Sequence, residues 1–161
     1  MNQVTCSSSR TRKTSTGPIE MCSVRVGDML FGIPISQILE ILGSAHPQPV
    51  PLAPSFVGGL VHYRGDMLTT VSLRHLLGMA PLDGPQDILV LEVPGGCFGV
   101  LVDSVGEVLR VCAEDHEPNP STLDERGKAL FTGSYKLKGN LLVIIEPERL
   151  DPLRLSGLQA A

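Results

Sequence analysis

An internal repeat constrains the fold of this chain more than any other feature of its sequence. Residues 31 to 42, FGIPISQILEIL, align with residues 98 to 109, FGVLVDSVGEVL, at an offset of 67. Residues 59 to 76, GLVHYRGDMLTTVSLRHL, align with residues 133 to 150, GSYKLKGNLLVIIEPERL, at an offset of 74. Because the two matches occur in the same order along the chain, we expect two similar structural units.

The repeat also predicts how the chain is divided. The two units should cover about residues 19–80 and 86–150, and a unit of this size has too small a core to be stable alone, so the two should share a hydrophobic seam. Residues 1–18 are rich in Ser, Thr and basic residues and have no apolar periodicity, which predicts a flexible N-terminal tail. Residues 151–161 are expected to form a C-terminal tail.

Glycine-containing turn signals separate strand-like runs and predict a mainly β protein. Each of four hairpins, VRV/MLFGI, GGLVHYR/MLTTVSL, DILVLEVP/CFGVLV and TGSYKLK/LLVIIE, surrounds one two-residue signal. A glycine at the first central position suits a type II′ turn, in which that residue needs a positive φ. On this basis the central turn pairs are Gly27-Asp28, Gly65-Asp66, Gly95-Gly96 and Gly139-Asn140. Short helical turns are predicted at PISQILEIL, LRHLLG, DSVGEVL and PERL.

Composition excludes several classes of function. The chain of 161 residues carries a net charge of −4, which offers no basic field for binding nucleic acid. It has no apolar run long enough to insert into a membrane and no secretory signal, so we expect a cytoplasmic location.

Residues that could support catalysis or bind a cofactor are sparse. The four cysteines form no Cys-x-x-Cys pair, and the four histidines have no metal-ligand spacing. Phosphate-binding glycine motifs and a Gly-x-Ser-x-Gly nucleophile motif are also absent from the sequence. The sequence therefore predicts a protein that is not an enzyme and has no cofactor, metal or catalytic residue.

One charged residue beside a turn is a candidate for partner recognition. Arg64, Gly65 and Asp66 form an Arg-Gly-Asp tripeptide, but an adhesion role would require export. With Gly65-Asp66 as the turn, Arg64 lies opposite Met67 and points away from the core. Arg64 is then either a solvated turn residue or the partner of Glu40 in a charge pair that sets a recognition surface.

The segment from about Ile19 to Leu150 resembles the CheW-like domain family of bacterial chemosensory adaptors. The resemblance is carried by VGDMLFGIPISQILEIL, PVPLAPSFVGGLVHYRGDMLTTVSLRHLLG, FGVLVDSVGEVL with the following EPNP, and FTGSYKLKGNLLVIIEPERL. It implies two SH3-like five-stranded β-barrels packed around a shared hydrophobic core, with short helices. It also implies a non-enzymatic adaptor that couples the cytoplasmic tips of chemoreceptors to the regulatory domain of a CheA-type histidine kinase.

The same resemblance implies a set of partner-binding residues. By matching position these are Ile38, Glu40, Ile41, Gly59, Arg64, Gly65, Gly99 and Val105. The chain departs from the family pattern in having His62 and Tyr63 before the arginine, Thr69 in place of a proline and Ser72 in place of an aspartate.

Three alternatives remain open from the sequence. The adaptor could serve a pilus-motility or other auxiliary chemosensory pathway. The chain could instead be a β-barrel module that binds a small ligand at the seam between the units. A histidine-metal enzyme is the third alternative, which elemental analysis would test.

Overall fold

The computed structural model describes residues 18–160, and these form eleven strands and three α-helices. The strands are β1 Ile19–Val26, β2 Met29–Pro34, β3 Ile38–Ala45, β4 Val57–Tyr63, β5 Asp66–Ser72, β6 Gln86–Val93, β7 Gly96–Val102, β8 Ser104–Val111, β9 His116–Glu117, β10 Phe131–Leu137 and β11 Asn140–Ile145. The helices are α1 Leu73–Leu76, α2 Glu125–Leu130 and α3 Pro152–Ala160. Three 3-10 turns lie at Ile35–Gln37, Ala113–Asp115 and Pro147–Leu150.

The strands are organised in two sheets, which confirms the prediction of a mainly β fold with short helices. The first sheet has the order β8-β1-β2-β11-β10-β9, and the second has the order β3-β6-β7-β5-β4. The first sheet thus contains six strands rather than five, because the two-residue strand β9 pairs with β10 at its edge.

The strands of each sheet come from both halves of the chain. The hairpin of β1 and β2 pairs with β8 and β11, whereas the hairpin of β6 and β7 pairs with β3 and β5. Neither sheet is therefore a continuous segment, and the expected division into barrels at 19–80 and 86–150 does not describe the strand pairing. The repeat identifies equivalent elements, but it cannot tell whether a hairpin pairs with its own half or with the other half.

The pairing of each hairpin with strands from the other half of the chain follows the internal repeat. Parallel pairing joins Thr70 to Gly99 in the second sheet and Ile144 to Gly32 in the first. Thr70 and Ile144 are equivalent at the offset of 74, and Gly32 and Gly99 are equivalent at the offset of 67. Each sheet is thus held together by a parallel strand pair that involves equivalent residues of the repeat.

All four predicted hairpins are present, but three of their turns are shifted by one residue. Gly27 and Asp28 connect β1 and β2 as predicted. In the second hairpin Tyr63 pairs with Asp66, so Arg64 and Gly65 form the turn, with φ of 51° and 84°. Two positive φ values indicate a type I′ turn rather than type II′, which places the glycine second.

The same shift occurs in the other two turns. Residues 94–95 and 138–139 connect their strands, because Val93 pairs with Gly96 and Leu137 pairs with Asn140. When the centre of a turn moves by one residue, each residue's partner moves by two, so the partners change while the faces of the strands do not. The predicted pairing of Arg64 with Met67 is therefore wrong, since Met67 pairs with His62.

Two of the four predicted helical turns are correct. LRHL forms α1 and PERL forms a 3-10 turn. PISQILEIL is helical only at Ile35–Gln37 and then becomes β3, and DSVGEVL becomes β8. Short apolar runs fit both periods, and β-branched residues together with pairing to a neighbouring strand favour the extended form.

Both ends of the chain were predicted to be tails. The predicted tail at 1–18 falls, except for Pro18, outside the described residues. Residues 152–160, expected to be a tail, form α3, and its Leu155 is buried in the core.

One large hydrophobic core contains side chains from both sheets, in agreement with the shared core expected from the sequence. Its fully buried members include Val24 and Phe31 from the first sheet and Leu89 and Val100 from the second. A smaller cluster lies within the first sheet and consists of Met21, Val111, Tyr135, Leu142 and Ile144.

A partly buried ion pair stabilises the point where the chain passes from β7 to β8, that is, from one sheet to the other. Arg74 donates from Nε to Oδ1 of Asp103 at 2.7 Å and from Nη2 to Oδ2 at 2.9 Å. The backbone N–H of Gly27 donates to the same carboxylate at 2.8 Å. Asp103 thus connects α1, the β1–β2 turn and the crossing between the sheets.

Candidate functional site

Glu40 and Arg64 meet at one side of the second sheet. Arg64 Nη2 lies 3.3 Å from Glu40 Oε1, so the charge pair expected from the sequence is formed. Glu40 belongs to β3 and Arg64 follows β4, and these strands form opposite edges of the five-stranded sheet. The sheet therefore curls until its two edges approach each other, and the ion pair bridges them.

The β4–β5 turn holds Arg64 in an unusual conformation. Its φ of 51° is in the left-handed region, which costs a residue with a side chain about 1 kcal/mol or more. Gly65, with φ of 84°, tolerates its own position without this cost. The guanidinium of Arg64 lies 5.1 Å from the ring centre of Tyr63, within cation–π range. Two neighbours, Glu40 and Tyr63, therefore orient the arginine.

Tyr63 lies against Arg64 through its ring. Its hydroxyl is buried and makes no hydrogen bond within the described part of the chain. Burial raises the pKa of the Tyr63 phenol; the charge of Arg64 opposes this shift and the carboxylate of Glu40 adds to it. The phenol therefore stays neutral, and the charges of the site are those of Glu40 and Arg64.

The ion pair contributes little to the stability of the fold. The side chain of Arg64 is 72% exposed and that of Glu40 is 42% exposed. A pair exposed to this degree is screened by water and stabilises by about 0 to 1 kcal/mol.

Strand β3 also exposes apolar side chains, on the face opposite to that of Glu40. Ile41 is 45% exposed, and Leu39, two residues earlier on the same face, is 44% exposed. Ile38 is half-buried and packs against the core instead. Because β3 is an edge strand that pairs with β6 alone, Leu39 and Ile41 lie beside an open strand edge.

The other predicted positions have different surroundings. Gly59 and Gly99 are buried, and a Cβ would lie 2.6 Å from the carbonyl oxygen of Gln48 at Gly59 and 2.7 Å from Ile88 Cγ2 at Gly99. Both glycines therefore allow close packing. Val105 is half-buried on β8, packs against the core and lies in the other sheet. The structure thus brings together Glu40, Arg64 and Gly65, while Ile41 is exposed on the other face of β3 and Ile38, Gly59, Gly99 and Val105 lie in or beside the core.

The ion pair occurs on only one of the two equivalent sheets. By the repeat offsets, the counterparts of Glu40 and Arg64 are Glu107 and Lys138. Within residues 18–160 no ion pair joins these two, and Lys136 pairs with Glu117 at 3.2 Å instead. Among the described residues, the Glu40–Arg64 pair therefore has no equivalent at the repeat-related positions of the first sheet.

Sequence reasoning missed three residues of this surface, Leu39, Tyr63 and Met67. Reading residues 38–45 as a strand would have put Leu39 on the same face as Ile41. A correct register would have placed Met67, which is 46% exposed, opposite His62. Nothing in the sequence indicated that the Tyr63 ring lies against Arg64.

Three further observations concern metal binding, membrane spans and pockets. Within residues 18–160 no group of three or more His, Cys, Asp or Glu side chains is arranged to hold a metal ion. The same residues include no helix that is long and apolar enough to cross a membrane. A pocket of about 700 Å³ lies along the first sheet rather than at the seam, and it is lined by Pro18, Ile19, Glu20, Pro34, Ile35, Ser36 and Arg110.

Comparison with known proteins identifies the family. The model of the CheW-like domain matches residues 20–152. The chain is 29% identical over 140 residues to the chemotaxis protein CheW of Rhizobium meliloti (strain 1021), covering 86% of this chain and 90% of that one. It is 33% identical over 124 residues to the protein FrzA of Myxococcus xanthus, covering 75% of this chain and 76% of that one.

A solved structure agrees with the fold. The scaffolding protein TtCheW from Thermoanaerobacter tengcongensis superposes with a TM-score of 0.72 at 23% identity, covering 80% of this chain and 88% of that one. The two-sheet architecture is therefore shared with a CheW scaffold. The family match spans both sheets and the Glu40–Arg64 pair, and the chain belongs to the CheW-like domain family.

Proposed function

We propose that this protein is a non-enzymatic adaptor of bacterial chemosensory signal transduction that couples chemoreceptors to a CheA-type histidine kinase. Membership of the CheW-like family and the named CheW relatives support this role. In this proposal the protein acts in the cytoplasm, joins receptor arrays through its partners, and needs no cofactor or nucleic acid.

The observation that carries the proposal is the exposed ion pair between Glu40 and Arg64. Leu39 and Ile41, which flank Glu40 on β3, are exposed on the opposite face of that strand, so the charges and the apolar side chains occupy the two faces of one edge strand. Protein–protein interfaces commonly contain both kinds of residue: apolar side chains supply affinity, and charged side chains supply specificity. We assign this surface to the regulatory domain of the kinase.

The first prediction concerns binding to that domain. Glu40→Ala and Arg64→Ala should each weaken binding of a purified cognate kinase regulatory domain by about tenfold or more, which corresponds to about 1.4 kcal/mol. The free energy of unfolding should change by less than about 1 kcal/mol, because the pair is exposed. Titration calorimetry measures the first quantity and urea unfolding the second.

The chain offers a matched control in the pair of Glu20 and Arg110 on the first sheet. The distance in this pair is 3.4 Å and its side chains are 50% and 64% exposed. Glu20→Ala and Arg110→Ala remove a similar ion pair from a different surface, so they should leave binding unchanged.

A charge swap separates recognition from structure. The double variant Glu40→Arg with Arg64→Glu keeps an opposite-charge pair but reverses both charges towards the partner. Binding should stay weak in the swap if the surface recognises the kinase, whereas recovery of binding would mean that the pair acts only within this chain. Absence of wild-type binding to both kinase and receptor at micromolar concentrations would overturn the proposed function.

The proposal covers more than one kind of pathway. The relatives include a chemotaxis protein CheW and the protein FrzA, both at similar identity. An adaptor for pilus motility or another auxiliary pathway uses the same two binding steps, and a neighbouring kinase or receptor gene would identify the pathway.

A further inference from the structure

The loop between β3 and β4 presents a leucine in an unfavourable setting. Leu52 is fully exposed, at 104% of its reference area, although most large apolar side chains of the described chain are buried or half-buried. Its φ is 63°, in the left-handed region that residues with a Cβ rarely adopt. Neither exposure nor backbone conformation favours leucine at this position.

The turn around Leu52 explains its backbone. The N–H of Ala53 donates to the carbonyl oxygen of Val50 at 3.4 Å, so residues 50–53 form a β-turn with Pro51 second and Leu52 third. A positive φ in the third position is typical of a type II turn, where glycine or asparagine is preferred. A glycine at residue 52 would thus fit this turn without strain.

The loop that carries Leu52 is fixed at both ends. Gln48 and Leu60 exchange two backbone hydrogen bonds, of 2.8 and 2.9 Å. Phe56 is buried in the core, and its carbonyl oxygen accepts a hydrogen bond from the N–H of Ser72 at 2.8 Å. Gly59 allows the close approach of Gln48, since a Cβ there would meet the Gln48 carbonyl. The exposed leucine therefore has a defined position relative to the second sheet.

The chemistry of the loop indicates what it can bind. Residues 46–56, HPQPVPLAPSF, contain no Asp, Glu, Lys or Arg and include four prolines. An extended polyproline helix is excluded at Leu52, because that helix requires a φ near about −75°. The loop thus offers one apolar side chain on a stiff, uncharged support, which suits an uncharged aliphatic cleft on a partner.

The loop is also separated from the kinase surface. Glu40 lies in the first half of β3 and Arg64 follows the end of β4, whereas the loop joins the end of β3 to the start of β4. The two features therefore lie towards opposite ends of the same pair of strands. An adaptor needs two surfaces that can be occupied at the same time.

We propose that Leu52 is an anchor residue for the chemoreceptor, inserting into an uncharged aliphatic cleft of its cytoplasmic tip. This inference rests on the proposed adaptor function and adds a second surface to it. The strained, exposed leucine is retained for binding, as is typical of residues held in sparsely populated conformations at functional sites.

The test compares variants that separate the side chain from the backbone. Leu52→Gly and Leu52→Asn both suit a positive φ and remove the apolar group. They should weaken binding of a purified receptor signalling-tip fragment by about tenfold or more and leave kinase binding unchanged. The melting temperature should stay the same or rise by about 2 °C, because strain is relieved. Leu52→Met keeps an apolar side chain and should retain binding.

Ser44 provides the matched control for backbone strain. Its φ is 50°, it is exposed, and its N–H bond to Asp87 does not depend on its side chain. Ser44→Gly relieves similar strain without removing an apolar group, so receptor binding should not change. Equal receptor binding by wild type and Leu52→Gly would overturn this inference alone. Absence of wild-type binding to both receptor and kinase would overturn the proposed function and this inference with it.

Discussion

At the scale of single residues, Asp103 links three parts of the fold through its carboxylate. Its carboxylate accepts two hydrogen bonds from Arg74 and one from the backbone of Gly27, and both ionised side chains are mostly shielded from solvent. The hydrogen bonds from Arg74 lower the pKa of Asp103; partial burial opposes this shift, and the Gly27 N–H adds to it. The folded state therefore prefers the ionised carboxylate more strongly than the unfolded state does.

This preference predicts a pH-dependent contribution to stability. The contribution is complete above the unfolded pKa of about 3.9 and is lost as the pH falls through the lower folded pKa. Asp103→Asn should lower the free energy of unfolding at pH 7 by about 2 kcal/mol, because charge-assisted hydrogen bonds are lost. Urea unfolding at pH 7 and below pH 4 measures this difference, which should shrink in acid. An equal difference at both pH values would contradict the assignment.

The two ion pairs and the strained leucine differ in how far they could be predicted from the sequence. The Glu40–Arg64 pair was one of two alternatives that the sequence left open for Arg64; the pair is formed, although Glu40 lies on strand β3 and not in the predicted helical turn. The Arg74–Asp103 pair could not be predicted, because its partners lie in different units and meet only at the crossing between the sheets. Leu52 could not be predicted to be strained, since leucine gives no signal for a positive φ.

At the scale of elements, the parallel pairs depend on two equivalent glycines. Gly99 faces Thr70 across the parallel pair of β5 and β7, and Gly32 faces Ile144 across β2 and β11. A Cβ at Gly99 would lie 2.7 Å from Ile88 Cγ2, whereas at Gly32 the nearest atoms, in Leu142 and Ile144, are 3.0 to 3.1 Å away. Packing is thus tighter at Gly99.

Gly99→Ala should therefore destabilise the protein by about 1 to 3 kcal/mol, because the added methyl group overpacks the core. Gly32→Ala should cost less, since the neighbouring atoms are ends of flexible side chains. Gly43→Ala is the control, because its Cβ would be 3.7 Å from the nearest atom, Asp87 Oδ1. Equal urea midpoints for Gly99→Ala and Gly43→Ala would contradict this explanation.

Hairpins were predictable as elements, but their register was not. Alternating apolar runs around glycine identify two paired strands, and all four hairpins exist. The turn type decides which residues pair, and it depends on whether φ is positive at one or two positions, which the glycine alone does not reveal. At Arg64 an arginine accepts a positive φ, so the turn moves by one residue and the partner of Met67 moves by two, from Arg64 to His62.

At the scale of the whole molecule, the exchanged hairpins unite the two halves of the chain. The β1–β2 hairpin contributes to a sheet whose other strands follow residue 103, and the β6–β7 hairpin contributes to a sheet whose other strands precede residue 73. The large core contains side chains from both sheets. Removing either half would thus leave exposed strand edges and an incomplete core in what remains.

We therefore expect the two halves to fold only together. Residues 18–80 and 86–160, expressed separately, should each lack a cooperative thermal transition by circular dichroism, and mixing them should restore strand signal. The intact protein should unfold in a single transition. A cooperative transition in either isolated half would contradict this expectation and favour two independent barrels.

The pairing of the β1–β2 hairpin with late strands of the chain also has a consequence for synthesis on the ribosome. Strand β2 is complete near residue 34, but its parallel neighbour β11 ends at Ile145, so the first hairpin waits for almost the entire chain to be translated. During that time β2 exposes an unpaired apolar edge, which is a hazard for aggregation. A nascent chain stalled before β11 should therefore be a better substrate for chaperones than the finished protein.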